Sequence, residues 1–113
     1  MNDILQTAEI IEACESLLQK RRPPEEIRNK VDLAYKIENQ SVLIYEVRSR
    51  WDKEDVFFES PIAKATWVKT KNEWKVFWLR ADLKWHGYKT PAVKTIYEFI
   101  ELVDQDKYGC FWG

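Results

Sequence analysis

The side chains best suited to chemistry fall into two groups. One is Arg28, Lys30, Asp32, Glu46, Arg48 and Arg50, six charges carried by two neighbouring extended segments. Two carboxylates facing each other across a hairpin can hold a divalent cation, and a cation beside them can receive a phosphate. The other is Trp74 to Tyr88, where five aromatic rings alternate with Lys75, Arg80, Lys84 and the chain's one histidine, His86. Flat rings flanked by cations suit single-stranded nucleic acid, because every base has a stackable face and every linkage carries a negative charge. They equally suit a core in which an arginine covers an indole.

Within the first group, Glu46-Val47-Arg48 resembles the acid-x-Lys element of metal-dependent nucleases, with Asp32 as second acid and Arg48 or Lys64 beside a phosphate. Arg stands where that element has Lys, and a solvated face with mutually neutralised charges explains the same residues. His86 could serve as an acid or base near neutral pH. No Ser, Cys or carboxylate pair at recognisable spacing accompanies it, and Cys110 has no identifiable base. No catalytic signature, cofactor motif or set of metal ligands follows from the sequence, and the reading leans away from an enzyme.

These residues must be positioned by a chain of 113 residues with net charge −1, long enough for a hydrophobic core without staples. We read it as one domain over 1–113. The charge is uneven: residues 61–95 hold eight Lys or Arg against Glu73 and Asp82, an excess of six, between two acidic ends. A basic middle attracts polyanions if it lies on one surface. The two cysteines, Cys14 and Cys110, read as unpaired reduced thiols. No stretch is apolar for long enough to span a membrane, and Met1-Asn2-Asp3-Ile4 lacks the pattern of a signal peptide, so the expected location is cytoplasmic with no membrane partner.

Periodicity predicts a helix over 3–19, with Ile4, Ala8, Ile11 and Leu18 beside Leu5, Cys14 and Leu17 as its apolar side, and Asn2 or Asp3 as its cap. Pro23-Pro24 stops it. Alternation predicts strands over 31–37 and 41–51, paired Val31 with Val47, Leu33 with Tyr45 and Tyr35 with Leu43 around a turn at 38–40. That register sets Asp32 opposite Glu46. An acidic loop, Asp52 to Glu59, leads to a second hairpin, 62–69 and 74–81, around Lys71-Asn72. Lys84, Trp85, His86 and Tyr88 fall in the following loop. Pro91 opens a last helix whose buried stripe is Val93, Ile96, Tyr97, Ile100 and Val103. A chain running into Phe111-Trp112 should fold that tail back on the domain. The expected architecture is α+β: a four-stranded antiparallel sheet flanked by an N-terminal and a C-terminal helix.

The chain resembles a bacterial family known as domain of unknown function 3024. The resemblance rests on Arg21-Arg22-Pro23-Pro24, Asp32-Leu33-Ala34-Tyr35-Lys36-Ile37, Gln40-Ser41-Val42, Glu46-Val47-Arg48 and Pro61-Ile62-Ala63-Lys64-Ala65. It continues through the Trp74–Tyr88 block and Tyr108-Gly109-Cys110-Phe111-Trp112-Gly113, with Trp112 where the family tends toward Phe. It implies a stand-alone bacterial domain and brings no activity, cofactor or ligand. The expected function is a non-enzymatic binding module. Arg48, Arg50, Lys64, Arg80, Lys84, Trp85, His86 and Tyr88 would face a nucleic acid or another anionic partner. The alternatives are a metal-dependent nuclease or phosphodiesterase using Asp32, Glu46 and Arg48, and a homo-oligomer whose Trp-rich surface is its own interface.

Overall fold

The computed structural model describes residues 4–112. Helix α1 (Ile4–Arg21) leads through a short 3-10 turn (Glu25–Ile27) into β1 (Val31–Glu38), β2 (Ser41–Ser49), β3 (Phe57–Val68), β4 (Glu73–Leu79) and β5 (Trp85–Val93), and α2 (Ile96–Gln105) follows. The five strands form an antiparallel meander in the order β1-β2-β3-β4-β5. The sheet therefore has five strands rather than four.

The additional strand is the Trp85–Val93 segment expected to be loop. Three residues of β5 bulge out between its pairs with Phe77 and Lys75, Phe77 opposing Gly87 while Lys75 opposes Ala92. Pro91 lies in that bulge, on an edge strand, the two settings where a missing N–H costs no ladder bond. Helix α2 consequently begins later, at Ile96. Thr95 caps it by accepting from the Glu98 backbone N–H, and the Glu98 carboxylate accepts from the Thr95 N–H in return.

The first hairpin differs by one residue from the expected register. Asn39 adopts a left-handed conformation, φ 52°, and the turn closes over Asn39-Gln40 alone, with Glu38 opposite Ser41. Leu33 then faces Glu46, Tyr35 faces Ile44 and Ile37 faces Val42, while Asp32 faces Val47. Directly paired residues share a face, so Val42 and Ile44 turn inward and Leu43, Tyr45 and Val47 turn outward. β3 also begins earlier than expected, taking Phe57 to Glu59 from the acidic loop. Ile62 is a bulge residue there, since Ile44 opposes Ala63 and Tyr45 opposes Pro61. Both Ile62 and Ala63 are buried as a result.

Both helices lie on the inward face. Ile10, Ala13, Cys14 and Leu17 of α1, spaced at three and four residues, pack with Ile96, Phe99, Ile100 and Val103 of α2 against Leu33, Val42, Ile44, Ala63, Ala65, Trp74 and Val76. The buried stripe of α1 is rotated from the expected one: Ile4, Leu5 and Ile11 are exposed. On α2, Tyr97 is likewise exposed and Phe99 takes its place inside. The expected α1 caps, Asn2 and Asp3, lie outside the described residues.

The tail packs back as its composition requires. Phe111 is buried against Tyr88, with ring centroids 4.8 Å apart. The Trp112 indole donates to the Val103 carbonyl at 2.7 Å and lies under Arg21, whose guanidinium carbon is 4.7 Å from the ring centroid. Arg21 also donates to the side chain and backbone carbonyl of Asp104, tying the ends of both helices to the tail.

Candidate functional site: the uncovered sheet face

The register produces a second apolar face that no helix covers among the described residues. One row crosses all five strands: Lys36, Leu43, Lys64, Phe77 and Gly87. Tyr45, Val47, Leu79 and Trp85 extend it to the sides, with Thr66 and Lys75 in the neighbouring row. Leu43, Tyr45, Phe77, Leu79 and Trp85 are each half-buried.

Lys64 sits at the middle of this face. Its ammonium is 4.9 Å from the centroid of Phe77 and 4.9 Å from that of Trp85. Desolvation by these rings pushes its pKa below the usual lysine value. No carboxylate lies within ion-pair distance of it among the described residues. Lys36, by contrast, is 5.1 Å from the Tyr45 centroid and is neutralised by Glu59 at 2.8 Å and Glu38 at 3.5 Å. Beyond Gly87 there is bare space, since an added Cβ would meet nothing within 4 Å.

The turn between β4 and β5 bounds the face at one end. Asp82 accepts from the Lys84 backbone N–H at 2.9 Å and pairs with His86 Nε2 at 2.9 Å. The His86 hydrogen bond holds the Asp82 carboxyl below the ordinary aspartate value. Leu83, 79% exposed, takes a left-handed backbone with φ 62°, an uncommon and costly choice for a residue of its shape. An apolar side chain held outward at such a position belongs with contact surfaces more readily than with a turn built for stability alone.

The family model described as Domain of unknown function (DUF3024) matches residues 2–113, nearly the whole chain. The chain belongs to this family. No curated protein and no solved structure matches it. Membership therefore leaves the chemistry of this DUF3024 chain to be read from its geometry.

That geometry divides the residues singled out from the sequence. Lys64 and Trp85 meet on the uncovered face. Arg80 lies over Trp78, 5.4 Å from its centroid, and His86 pairs with Trp78 across the ladder, so both belong to the helix side of the sheet. Lys84 is exposed in the turn between the two sides. Tyr88 is only 4% exposed and serves the core beneath Phe111. Arg48 is at the far end of β2, five residues or roughly 17 Å along the strand from Leu43, the partner of Lys64, and Arg50 lies just past the strand's end. Each already has a carboxylate, Arg48 with Glu46 at 3.0 Å and Arg50 with Asp52 at 2.7 Å.

The cation-holding pair does not form. With Asp32 opposite Val47 and Glu46 opposite Leu33, the two carboxylates are not ladder partners. Asp32 is gripped by Arg22 through two bonds of 2.8 Å and accepts the Leu33 backbone N–H at 2.8 Å. Among the described residues no group of three or more His, Cys, Asp or Glu could hold a metal ion. Cys14 and Cys110 are both free, and burial followed by the nearby Glu15 pushes the Cys14 thiol up to about 12, leaving it protonated.

The Asp32 contact has a pH signature. The Arg22 hydrogen bonds, opposed by desolvation and aided by the Leu33 N–H, hold its carboxyl below the ordinary value. A depressed carboxylate adds stability above its unfolded pKa, roughly 4, and loses it as the pH falls through the lower folded value. Asp32→Asn should melt below wild type at neutral pH, with the gap narrowing below about pH 4. A gap of constant size down the acid range would place the effect elsewhere.

The sequence reading missed Lys36, Leu43 and Tyr45 as residues of this face, and had Lys75 and Phe77 only within the Trp74–Tyr88 block. The signal was present: β2 alternates two apolar sets, Val42 and Ile44 against Leu43, Tyr45 and Val47, so one set had to face away from the helices.

Proposed function

We propose that this protein is a binding module whose uncovered sheet face takes single-stranded nucleic acid. The single observation that carries this reading is Lys64, an unneutralised ammonium poised over Phe77 and Trp85 in the middle of an apolar strand face. A phosphate drawn to Lys64 leaves the two rings free to stack on bases, and Tyr45 and Lys75 continue the track on either side. An extended strand suits a flat sheet, whereas a duplex hides its base faces. Charge distribution supports the polarity: α2 carries Glu98, Glu101 and Asp104 with no base, and the helix layer faces away.

The test is a fluorescence titration with a single-stranded oligonucleotide and its duplex at low and moderate salt. Binding should be saturable, weaken with salt and favour the single strand. Trp85→Ala should weaken it about tenfold, in line with roughly 1–3 kcal/mol for a stacked base. Lys64→Ala should lower the salt slope by about 1. Salt-insensitive binding, or both variants binding as wild type does, would remove the proposal.

A second reading, self-association, rests on a separate observation. Trp51 is 96% exposed at the tip between β2 and β3, next to exposed Val56, Phe57 and Phe58. Exposed aromatic clusters of this kind are characteristic of contact surfaces. Sedimentation should then show a dimer or larger species that Trp51→Glu splits; a monomer at all concentrations rules this out.

A further inference from the structure

A cavity of about 720 Å³ opens at the corner where the start of α1, the turn between β3 and β4, and the junction of β5 with α2 converge. It is independent of the uncovered face. Its aromatic wall is Trp67 and Trp74, ladder partners in the row Trp67, Trp74, Val93, which points to the helix side of the sheet. The residues flanking that row, Thr66 and Lys75, point the other way.

We propose that this cavity binds a small aromatic anion, a planar ring bearing a phosphate or carboxylate. Its size falls within the usual range for small-molecule sites, and it combines an apolar wall with a few polar groups at the rim. The Trp67 and Trp74 rings meet at 58° with centroids 5.2 Å apart, so they do not stack flat on one another. Trp74 is buried, whereas Trp67 is half-exposed and offers a ring surface to the cavity. A planar guest on that surface gains the contact the indole otherwise lacks.

The rim supplies the anion partner. Lys69 and Lys94 both line the cavity. Lys94 has only a 3.9 Å contact to Glu73 and is 72% exposed, and Lys69 has no ion pair among the described residues. Asn72, locked at the end of its turn by a φ of 53°, adds an amide beside them. Glu9, on the α1 wall, is the acid among the lining residues, and it can accept from an amino N–H of the guest. Lys69, without an ion pair among the described residues, and the exposed, loosely held Lys94 favour an anion over a neutral ring, and the tryptophan wall favours a ring over bare phosphate.

Anilinonaphthalene sulfonate, a fused ring with one anionic group, is a direct fluorescent probe, and adenosine monophosphate is the competitor. The intact protein should bind the dye at one saturable site and release it to adenosine monophosphate about tenfold more readily than to adenosine, the difference one charge-assisted contact makes. Lys69→Glu, on an exposed turn and so harmless to folding, should weaken adenosine monophosphate about tenfold. Trp67→Leu should weaken both adenosine compounds. Lys64→Ala and Trp85→Ala, on the opposite face, should leave this binding unchanged, so the two sites succeed or fail separately. Absence of competition, equal competition by adenosine, or unaltered affinity in Lys69→Glu and Trp67→Leu overturns the assignment.

Discussion

Trp74→Ala is expected to cost about 3–5 kcal/mol of unfolding free energy, the largest single effect in the molecule. The indole is 2% exposed and touches both layers: Trp67 beside it at 5.2 Å, Val93 across the ladder, and the core into which Ile96 and Phe99 also pack. Alanine leaves a hole that neither helix can close, because α1 and α2 already meet each other over the sheet. Domains of this size have total stabilities of about 5–15 kcal/mol, so the variant should be marginal at ambient temperature. Trp74→Phe keeps most of the volume and should lose clearly less. Denaturant unfolding followed by circular dichroism measures both; a loss under about 1 kcal/mol in the alanine variant would mean the site collapses around the gap.

Asp106→Ala is expected to cost about 2–4 kcal/mol and to release the tail. Asp106 ends α2 in a left-handed conformation, φ 43°, with its N–H bonded to the Leu102 carbonyl. Its two carboxylate oxygens accept the backbone N–H groups of Phe111 and Trp112, each at 3.0 Å. One side chain thus turns the chain and satisfies two donors that the docked tail would otherwise leave in a part-buried setting. The variants separate these contributions. Asp106→Gly suits the left-handed backbone but lacks the acceptors, so it should lie between wild type and alanine. Asp106→Asn keeps one acceptor and should be milder still. The release shows in Trp112: its emission should move to the red as the indole leaves Val103 and Arg21. Wild-type emission in Asp106→Ala would show that Phe111 and Trp112 hold the tail unaided.

What periodicity and composition reveal here is local. Both helices, the two central hairpins, the free cysteines and the returning tail were legible, because each depends on neighbours within a few residues: Pro23-Pro24 after α1, Asn39 and Asn72 at turns, Phe111-Trp112 beyond α2. The aromatic–basic block at Trp74–Tyr88 was also legible, and with it the family. β5 was not, for its first residues read as loop and Pro91 as the start of a helix, until an edge position and a bulge make room for them in a strand. Nor was the inward side of α1, where Ile10 and Ala13 win over Ile4, Leu5 and Ile11 only because α2 lies on that side.

The decisive case is β2. Its two faces are both apolar, so alternation by itself marks a strand and cannot choose which face the helices cover. That choice came from the tight two-residue turn at Asn39-Gln40 and from the fit of Val42 and Ile44 beneath two helices. Shifting the register by one residue took Asp32 and Glu46 out of direct pairing and turned Leu43 and Tyr45 toward solvent. The amino-acid sequence thus determined the elements and the kinds of side chain available to bind. Only the tertiary structure decided which of them meet, because strand register and helix placement depend on long-range burial that no short stretch of chain encodes.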